Sequence, residues 1–256
     1  MSIAFSKYHG AGNDFILIDN RVHEMVLSQK EVAAMCHRRY GIGADGLMLL
    51  EQADGYDFRM VYYNSDGGES TMCGNGGRCI VAFAHSLGII KDKTSFVAID
   101  GPHTATIHED LTISLHMQDV DDMASGDRHH ILNTGSPHYV AWIENIHEFP
   151  VYTEGKRIRN LPQFAPNGIN ANFAQWIDGS LWVRTYERGV EDETLSCGTG
   201  VTATAIAATG SNTGDYVTTV HTPGGKLQVS FVKQTPTTAT DVILKGPAAF
   251  VYEGIW

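Results

Sequence analysis

Two cysteines stand in matching company, at positions where a thiol can be made reactive. Cys73 lies between Glu69-Ser-Thr-Met and Gly-Asn-Gly-Gly, and Cys197 lies between Glu193-Thr-Leu-Ser and Gly-Thr-Gly, an offset of 124 residues from 73 to 197. A helix is expected to begin immediately after each. A thiol of ordinary pKa, about 8.5, is mostly protonated at neutral pH, and the unpaired N–H groups of a helix N-terminus favour its anion by about 1–2 kcal/mol. One pKa unit is about 1.4 kcal/mol, so the helix alone brings the thiol only to about 7.5, and a full thiolate needs a neighbouring base. A pair made of one thiol and one thiolate needs less.

The glycines that follow, Gly74 and Gly198, leave backbone N–H groups open to a carboxylate lying on the helix ends. Two such ends clamping one carboxylate would put a sulfur on each face of the adjacent α-carbon. They would also stabilise the charge that gathers on the carboxylate as the α-proton leaves, which is the chemistry of a two-base inversion. A single cysteine before glycine is usually just a small buried residue, and the duplication is what reverses those odds. Cys36 and Cys79 have no duplicated surroundings and read as core residues.

The elements that must position these cysteines are also written twice. Tyr63-Asn64 and Tyr186-Glu187 each end an apolar run, and Gly12-Asn-Asp-Phe-Ile loosely matches Gly135-Ser-Pro-His-Tyr-Val, both 123 residues apart. The halves are expected over residues 1–121, carrying Cys73 and joined by a last strand at 247–256, and over residues 122–246, carrying Cys197. The acidic stretch Asp119 to Gly126 suits the connection between them.

Alternation predicts strands at Phe15 to Asp19, Tyr56 to Tyr63, Phe96 to Asp100 and Leu111 to Met117. Asp178-Gly179 and Gly224-Gly225 read as two-residue hairpin turns. Ser28-Gln-Lys-Glu31 is a capping box opening a helix to about Arg39. The other helices, about Gly76 to Leu87 and about Gly200 to Thr209, are closed by Gly88 and Gly210. Both are apolar nearly all round and so should be wrapped by sheet. The expected class is α+β, with two pseudo-symmetric, barrel-like halves, each a sheet around a central apolar helix.

Composition narrows the partners. The 256 residues carry 18 Lys and Arg against 29 Asp and Glu, a formal charge of −11 that would repel a phosphate backbone, so no nucleic-acid partner is expected. No run approaches the roughly 20 apolar residues of a membrane span, and residues 1–10 lack an apolar signal core, so no membrane association and a cytoplasmic location are expected. Four irregularly spaced cysteines do not make a disulfide scaffold. With no Cys-x-x-Cys pair, and Cys73 to Cys79 too wide for a zinc knuckle, no metal is expected.

Across nearly its whole length the chain resembles the diaminopimelate epimerase family, pyridoxal-independent enzymes of lysine and peptidoglycan precursor synthesis. The motifs that carry the resemblance are Lys7-Tyr-His-Gly-Ala-Gly-Asn-Asp-Phe15, Gly41-Ile-Gly-Ala-Asp-Gly46, Tyr63-Asn-Ser-Asp-Gly67, Cys73-Gly-Asn-Gly-Gly-Arg-Cys79, Pro137-His138, Tyr186-Glu-Arg-Gly189 and Ser196-Cys-Gly-Thr-Gly200. The resemblance implies an epimerase without cofactor in which Cys73 and Cys197 exchange the roles of base and acid, assisted by His138 and Glu187. It implies that backbone groups of Gly74, Asn75, Gly198 and Thr199 hold the reacting carboxylate and that Asn13 lies near the reacting amine. Asn64, Asn170 and Arg188 would hold the far end of diaminopimelate, where arginine can pair bidentately with the second carboxylate. Ser136 and Gly46 stand where the family often has Asn and Gln, so contacts to substrate at those two positions are expected to differ. A homodimer is compatible with the resemblance.

Two rival readings remain at this level. A proline-racemase-like enzyme shares the paired-cysteine logic, but proline has no second charged end for Arg188, Asn64 and Asn170 to hold. A non-catalytic binding protein on the same fold stays open, because fold does not fix function.

Overall fold

The computed structural model describes residues 2–22 and 25–256; Met1, His23 and Glu24 lie outside the described residues. The chain divides into two compact units, Met1–Leu115 with Gly246–Trp256, and His116–Lys245. Each is α+β.

In the first unit, neighbouring strands run in the order Ala249–Ile255, Ala4–Gly10, Asn13–Asp19, Gly46–Glu51, Phe58–Asn64, Lys93–Ala98, Gly101–Ile107 and Ile113–His116, which ends one residue past the unit boundary. The third and fourth pair in parallel, as do the fifth and sixth; the other pairings are antiparallel. A parallel pair needs a crossover, and both crossovers are helical. The first contains helix α1 (Gln29–Cys36), opened by the expected capping box: Glu31 N–H donates to Ser28 Oγ at 3.3 Å, and Ser28 N–H donates back to the Glu31 carboxylate at 2.7 Å. It stops at Cys36, short of the expected Arg39, because His37 Nδ1 accepts from Arg39 N–H and Tyr40 N–H at 3.1 and 3.2 Å and turns the chain.

The second crossover contains helix α2 (Gly74–Ser86), with Cys73 as its N-cap. Residues Gly74 to Val81 are all buried, and the helix touches strands Ala4–Gly10, Asn13–Asp19, Gly46–Glu51 and Gly101–Ile107. Gly88, at φ +72°, lies just beyond its end.

The second unit repeats this plan. Its strands run Met123–Ser125, His129–Asn133, Pro137–Trp142, Asn170–Ile177, Ser180–Glu187, Gly214–Thr222, Gly225–Lys233 and Thr240–Gly246, whose last residue lies past the unit boundary; the parallel pairings again fall third to fourth and fifth to sixth. The first crossover holds helix α3 (Val151–Arg159), which the sequence reading missed, and the second holds helix α4 (Gly198–Ala207), with Cys197 as N-cap. Helix α4 is buried at Gly198 and from Gly200 to Ala207, and its hydroxyls survive there by bonding backward along the helix. Thr202 Oγ1 donates to Gly198 O at 2.9 Å and Thr204 Oγ1 donates to Gly200 O at 2.8 Å.

Asp178 and Gly179 form a hairpin turn with φ of +48° and +75°, as their types predict. The other hairpin is shifted by one residue from expectation: Thr222 pairs with Gly225, so Pro223-Gly224 is the turn. Proline at the first turn position pre-sets φ and takes precedence over the glycine pair. No helix among the described residues is long and apolar enough to cross a membrane.

Helix α3 has no side-chain cap and is held by packing: Val151 and Ile158 bury with Ile169, Ala171, Phe173 and Tyr186. Gly155 makes the close approach to the sheet, since a Cβ there would lie 2.3 Å from Tyr186 Cβ and 2.6 Å from its Cγ. An exposed Gly-to-Ala change in a helix gains about 1 kcal/mol. Gly155→Ala is instead expected to cost about 1–3 kcal/mol, because the atoms it meets belong to the root of a strand side chain that cannot swing away. Urea unfolding checks this, and an unchanged or raised midpoint would contradict the packing.

Candidate active site

In the first unit the chain brings Cys73, Gly74, Asn75 and Asn13 into one polar chain. Gly76 N–H donates to Cys73 Sγ at 3.2 Å, so the sulfur takes a position that a serine or aspartate oxygen normally fills at a helix start. Asn75 Nδ2 donates to Asn13 Oδ1 at 3.3 Å, and Asn13 Nδ2 donates to Asp45 at 2.7 Å. Behind Asn13, Asp14 is flanked by Lys7 at 2.8 Å and Arg38 at 2.7 Å. Burial raises the Asp14 carboxyl, but the hydrogen bonds and charges of Arg38 and Lys7 outweigh it and hold it at about 2.

Gly46 pairs with Asn64 across adjacent strands, and Asn64 is exposed at its strand end. A Cβ at Gly46 would fall 2.6 Å from the Tyr62 ring and 2.7 Å from Tyr63 O, so Tyr62 occupies the space a longer side chain would need.

The second unit gathers His138, Ser136, Asn170, Glu187 and Arg188 beside the start of α4. Register sets this arrangement: His138 pairs with Asn170, and Asn170 lies one step beyond the Ala171–Tyr186 pair that leads to Glu187. Asn170 is the hub, donating to Ser136 Oγ at 2.8 Å and Pro137 O at 3.1 Å while accepting from Arg188 N–H at 2.9 Å. The Arg188 guanidinium makes one hydrogen bond among the described residues, a long one of 3.5 Å to Ser136 Oγ.

Glu187 accepts from Thr194 Oγ1. Cys197 Sγ lies 3.4 Å from Thr199 Oγ1, and Thr134 Oγ1 donates to Thr199 O at 2.9 Å, which fixes the first turn of α4. The Arg188 loop is braced through Glu191, which receives Gly189 N–H at 3.1 Å, Tyr186 Oη at 3.2 Å and Arg159 of α3 at 3.0 Å. The site residues expected from sequence thus form two local clusters, one in each unit. Cys36 and Cys79 are buried and away from the helix starts, and burial pushes the Cys36 thiol up to about 11.

Asn172 is a member that sequence reasoning missed. Its Nδ2 donates to Tyr139 O at 3.1 Å and faces His138 Nδ1 at 3.0 Å, while its Oδ1 accepts from Thr185 Oγ1 at 2.9 Å. The Tyr139 carbonyl can only accept, so the amide nitrogen must point that way. His138 Nδ1 therefore carries the lone pair, and the neutral ring bears its proton on Nε2. That Nε2 atom is buried and has no hydrogen-bond partner among the described residues, a donor waiting for an acceptor. The available signal was the repeat: Asn172 stands on the strand matching Gly46–Glu51, at the place of the apolar Met48.

Burial, followed by the positive charge of Arg188, holds the His138 imidazole down at about 3, against an ordinary value of 6.5. A histidine lowered in the fold takes up its proton more readily when unfolded, so its contribution to stability is complete above about 6.5 and is lost progressively as pH falls toward about 3. Unfolding free energy is expected to decline from pH 6.5 to about pH 5, a window above the Asp14 titration, and His138→Asn should reduce that decline. Urea titrations at several pH values check the slope; an equal slope in the variant would contradict a buried neutral His138.

Comparison with known proteins matches nearly the whole chain. The family model described as diaminopimelate epimerase covers residues 5–121 and 130–251. The diaminopimelate epimerase of Flavobacterium psychrophilum is 54% identical over 255 residues, covering 96% of this chain and 97% of that protein. The diaminopimelate epimerase of Chlorobaculum tepidum is 44% identical over 255 residues, covering 96% and 98%. Among solved structures, a Bacillus anthracis phenazine biosynthesis protein of the PhzF family superimposes with a TM-score of 0.78 over 100% of this chain and 99% of its own, at 13% identity, which speaks for the fold alone. With its two cysteine-capped helices, its duplicated plan and relatives matched end to end, the chain belongs to the diaminopimelate epimerase family.

Proposed function

We propose that the protein is a cytoplasmic, cofactor-independent epimerase that interconverts LL- and meso-diaminopimelate, serving lysine and peptidoglycan precursor synthesis. The observation that carries this reading is the repeat with its cysteines: each unit places one at the cap of a buried crossover helix, at the same point of the same strand plan. One sulfur removes the α-proton as a thiolate, and the other, as a thiol, delivers a proton to the opposite face. N–H groups of Gly74, Asn75, Gly198 and Thr199 receive the carboxylate whose charge grows during the step. His138 offers its Nε2 proton to the anionic reacting end, and Glu187 orients the nearby groups.

Arg188 is the reason to choose a dicarboxylate over proline. It lies beside Asn170 and Ser136 with a guanidinium that, among the described residues, makes only a long contact to a neutral hydroxyl, leaving its fork for a carboxylate. Arg188→Ala should raise KM for diaminopimelate by roughly 30-fold or more, the consequence of leaving a desolvated carboxylate unpaired. Coupled assays on diaminopimelate, proline and hydroxyproline check both points. Turnover of proline with no diaminopimelate activity, or an Arg188→Ala enzyme with unchanged KM, would contradict the assignment.

A further inference from the structure

Helices α2 and α4 follow the same plan from their capping cysteines, with glycine one and three residues on, but five residues after each cysteine their charge differs: Arg78 in one, Thr202 in the other. Both side chains reach back to the equivalent carbonyl. Arg78 Nη1 donates to Gly74 O at 3.0 Å, and Thr202 Oγ1 donates to Gly198 O at 2.9 Å. Thr202 is neutral, whereas Arg78 is a cation with no solvent exposure. Its remaining donors go to Asn75 Oδ1 at 2.9 Å and Pro247 O at 3.3 Å, so every acceptor it meets among the described residues is uncharged.

A buried cation among neutral acceptors is poorly compensated for its lost water. Burial draws the guanidinium down to about 10, still charged at neutral pH, and its bonds to Gly74 O and Asn75 Oδ1 hold it at the first turn of α2, in a stretch of chain bounded by Cys73 and Cys79. Cys79 is buried completely and burial pushes its thiol far up, so it stays protonated. Cys73 remains.

Other charged groups on the strands packed against α2 are already committed. Lys7 and Asp14 pair with each other, and Arg38 closes on Asp14. Asp19 pairs with Arg21, Glu51 accepts from Asn20, and His103 is held by Asp100. His9 Nδ1 accepts from Gly12 N–H.

We infer that Arg78 is a positioning residue that makes Cys73 the resting thiolate, leaving Cys197 the resting thiol. The inference rests on reading the two cysteines as the acid/base pair, and it assigns their resting roles. A substrate whose α-hydrogen faces Cys73 meets its base at once: the Cys73 thiolate takes that hydrogen, the Cys197 thiol gives its own to the opposite face, and the pair ends with its charge exchanged. The enzyme returns to rest by trading one proton with water. The opposite epimer must find the pair in the exchanged, less populated form.

The test is alkylation by iodoacetamide from about pH 5 to about pH 9, with each cysteine read separately by peptide mass spectrometry. Midpoints are compared rather than plateau rates, since Cys73 is partly exposed and Cys197 buried. In the unmodified protein the Cys73 midpoint should lie below that of Cys197. Arg78→Met should move the Cys73 profile to higher pH and slow its alkylation at neutral pH by roughly fivefold or more, while Arg78→Lys keeps the lower midpoint. A lower midpoint for Cys197 in the unmodified protein overturns the inference without any variant having to fold. An unmoved Cys73 profile in a folded Arg78→Met protein overturns it too. Alkylation needs no turnover, so failure here is distinct from failure of the epimerase reading, which loss or survival of activity in Cys73→Ser and Cys197→Ser decides.

Discussion

The first N–H groups of a helix have no partner within it, and when that helix is buried on every side they cannot simply turn to bulk water. This constraint governs each unit. Helices α2 and α4 are wrapped by strands, and their first turns, which Cys73 and Cys197 cap, are buried with them. Glycine-rich first turns keep those donors uncovered. The threonine hydroxyls inside α4 bond backward and are satisfied within the helix, which leaves the N–H groups of the helix start as its electrostatic demand. An anion satisfies that demand, whether a thiolate at the cap or a substrate carboxylate above it.

The helix starts, the capping box and the apolar character of both central helices were legible because each depends on neighbours within a few residues. Helix α3 was not, since it lacks a cap, contains Gly155 and buries only Val151 and Ile158 besides that glycine. Yet the offset of 123 that aligned the halves carries α1 at 29–36 onto 152–159, inside α3 at Val151–Arg159. The repeat held that information; local propensity did not. The Pro223-Gly224 turn shows the opposite failure, in which a glycine pair outweighed the more restrictive proline beside it. Asn172 and Arg78 escaped notice because their importance lies in partners far along the chain, Tyr139 and Thr185 for one, Pro247 for the other.

Duplication followed by divergence explains how two alike units come to hold unlike chemistry. At matched positions the first unit has Phe15, Met48 and Arg78, and the second has His138, Asn172 and Thr202. The strand plan is unchanged, so at these matched positions the same backbone now carries two apolar groups and a buried cation in one unit, and neutral hydrogen-bonding side chains in the other. Even the glycines at the third helical position face different neighbours: a Cβ at Gly76 would meet the Met48 methyl at 2.3 Å, and one at Gly200 would meet Asn172 Oδ1 at 2.3 Å. One strand plan thus gives the two capping cysteines different surroundings.

The central claim is that two sulfurs act from opposite sides, and hydrogen isotopes report on it directly. A thiol holds a single hydrogen, so the proton taken by one sulfur cannot be the one delivered by the other. When LL-diaminopimelate is turned over in deuterated water, the earliest meso product should carry deuterium at the inverted centre while recovered substrate stays protonated. Equal early deuterium in substrate and product, or product that retains the original proton, would contradict Cys73 and Cys197 as opposed base and acid.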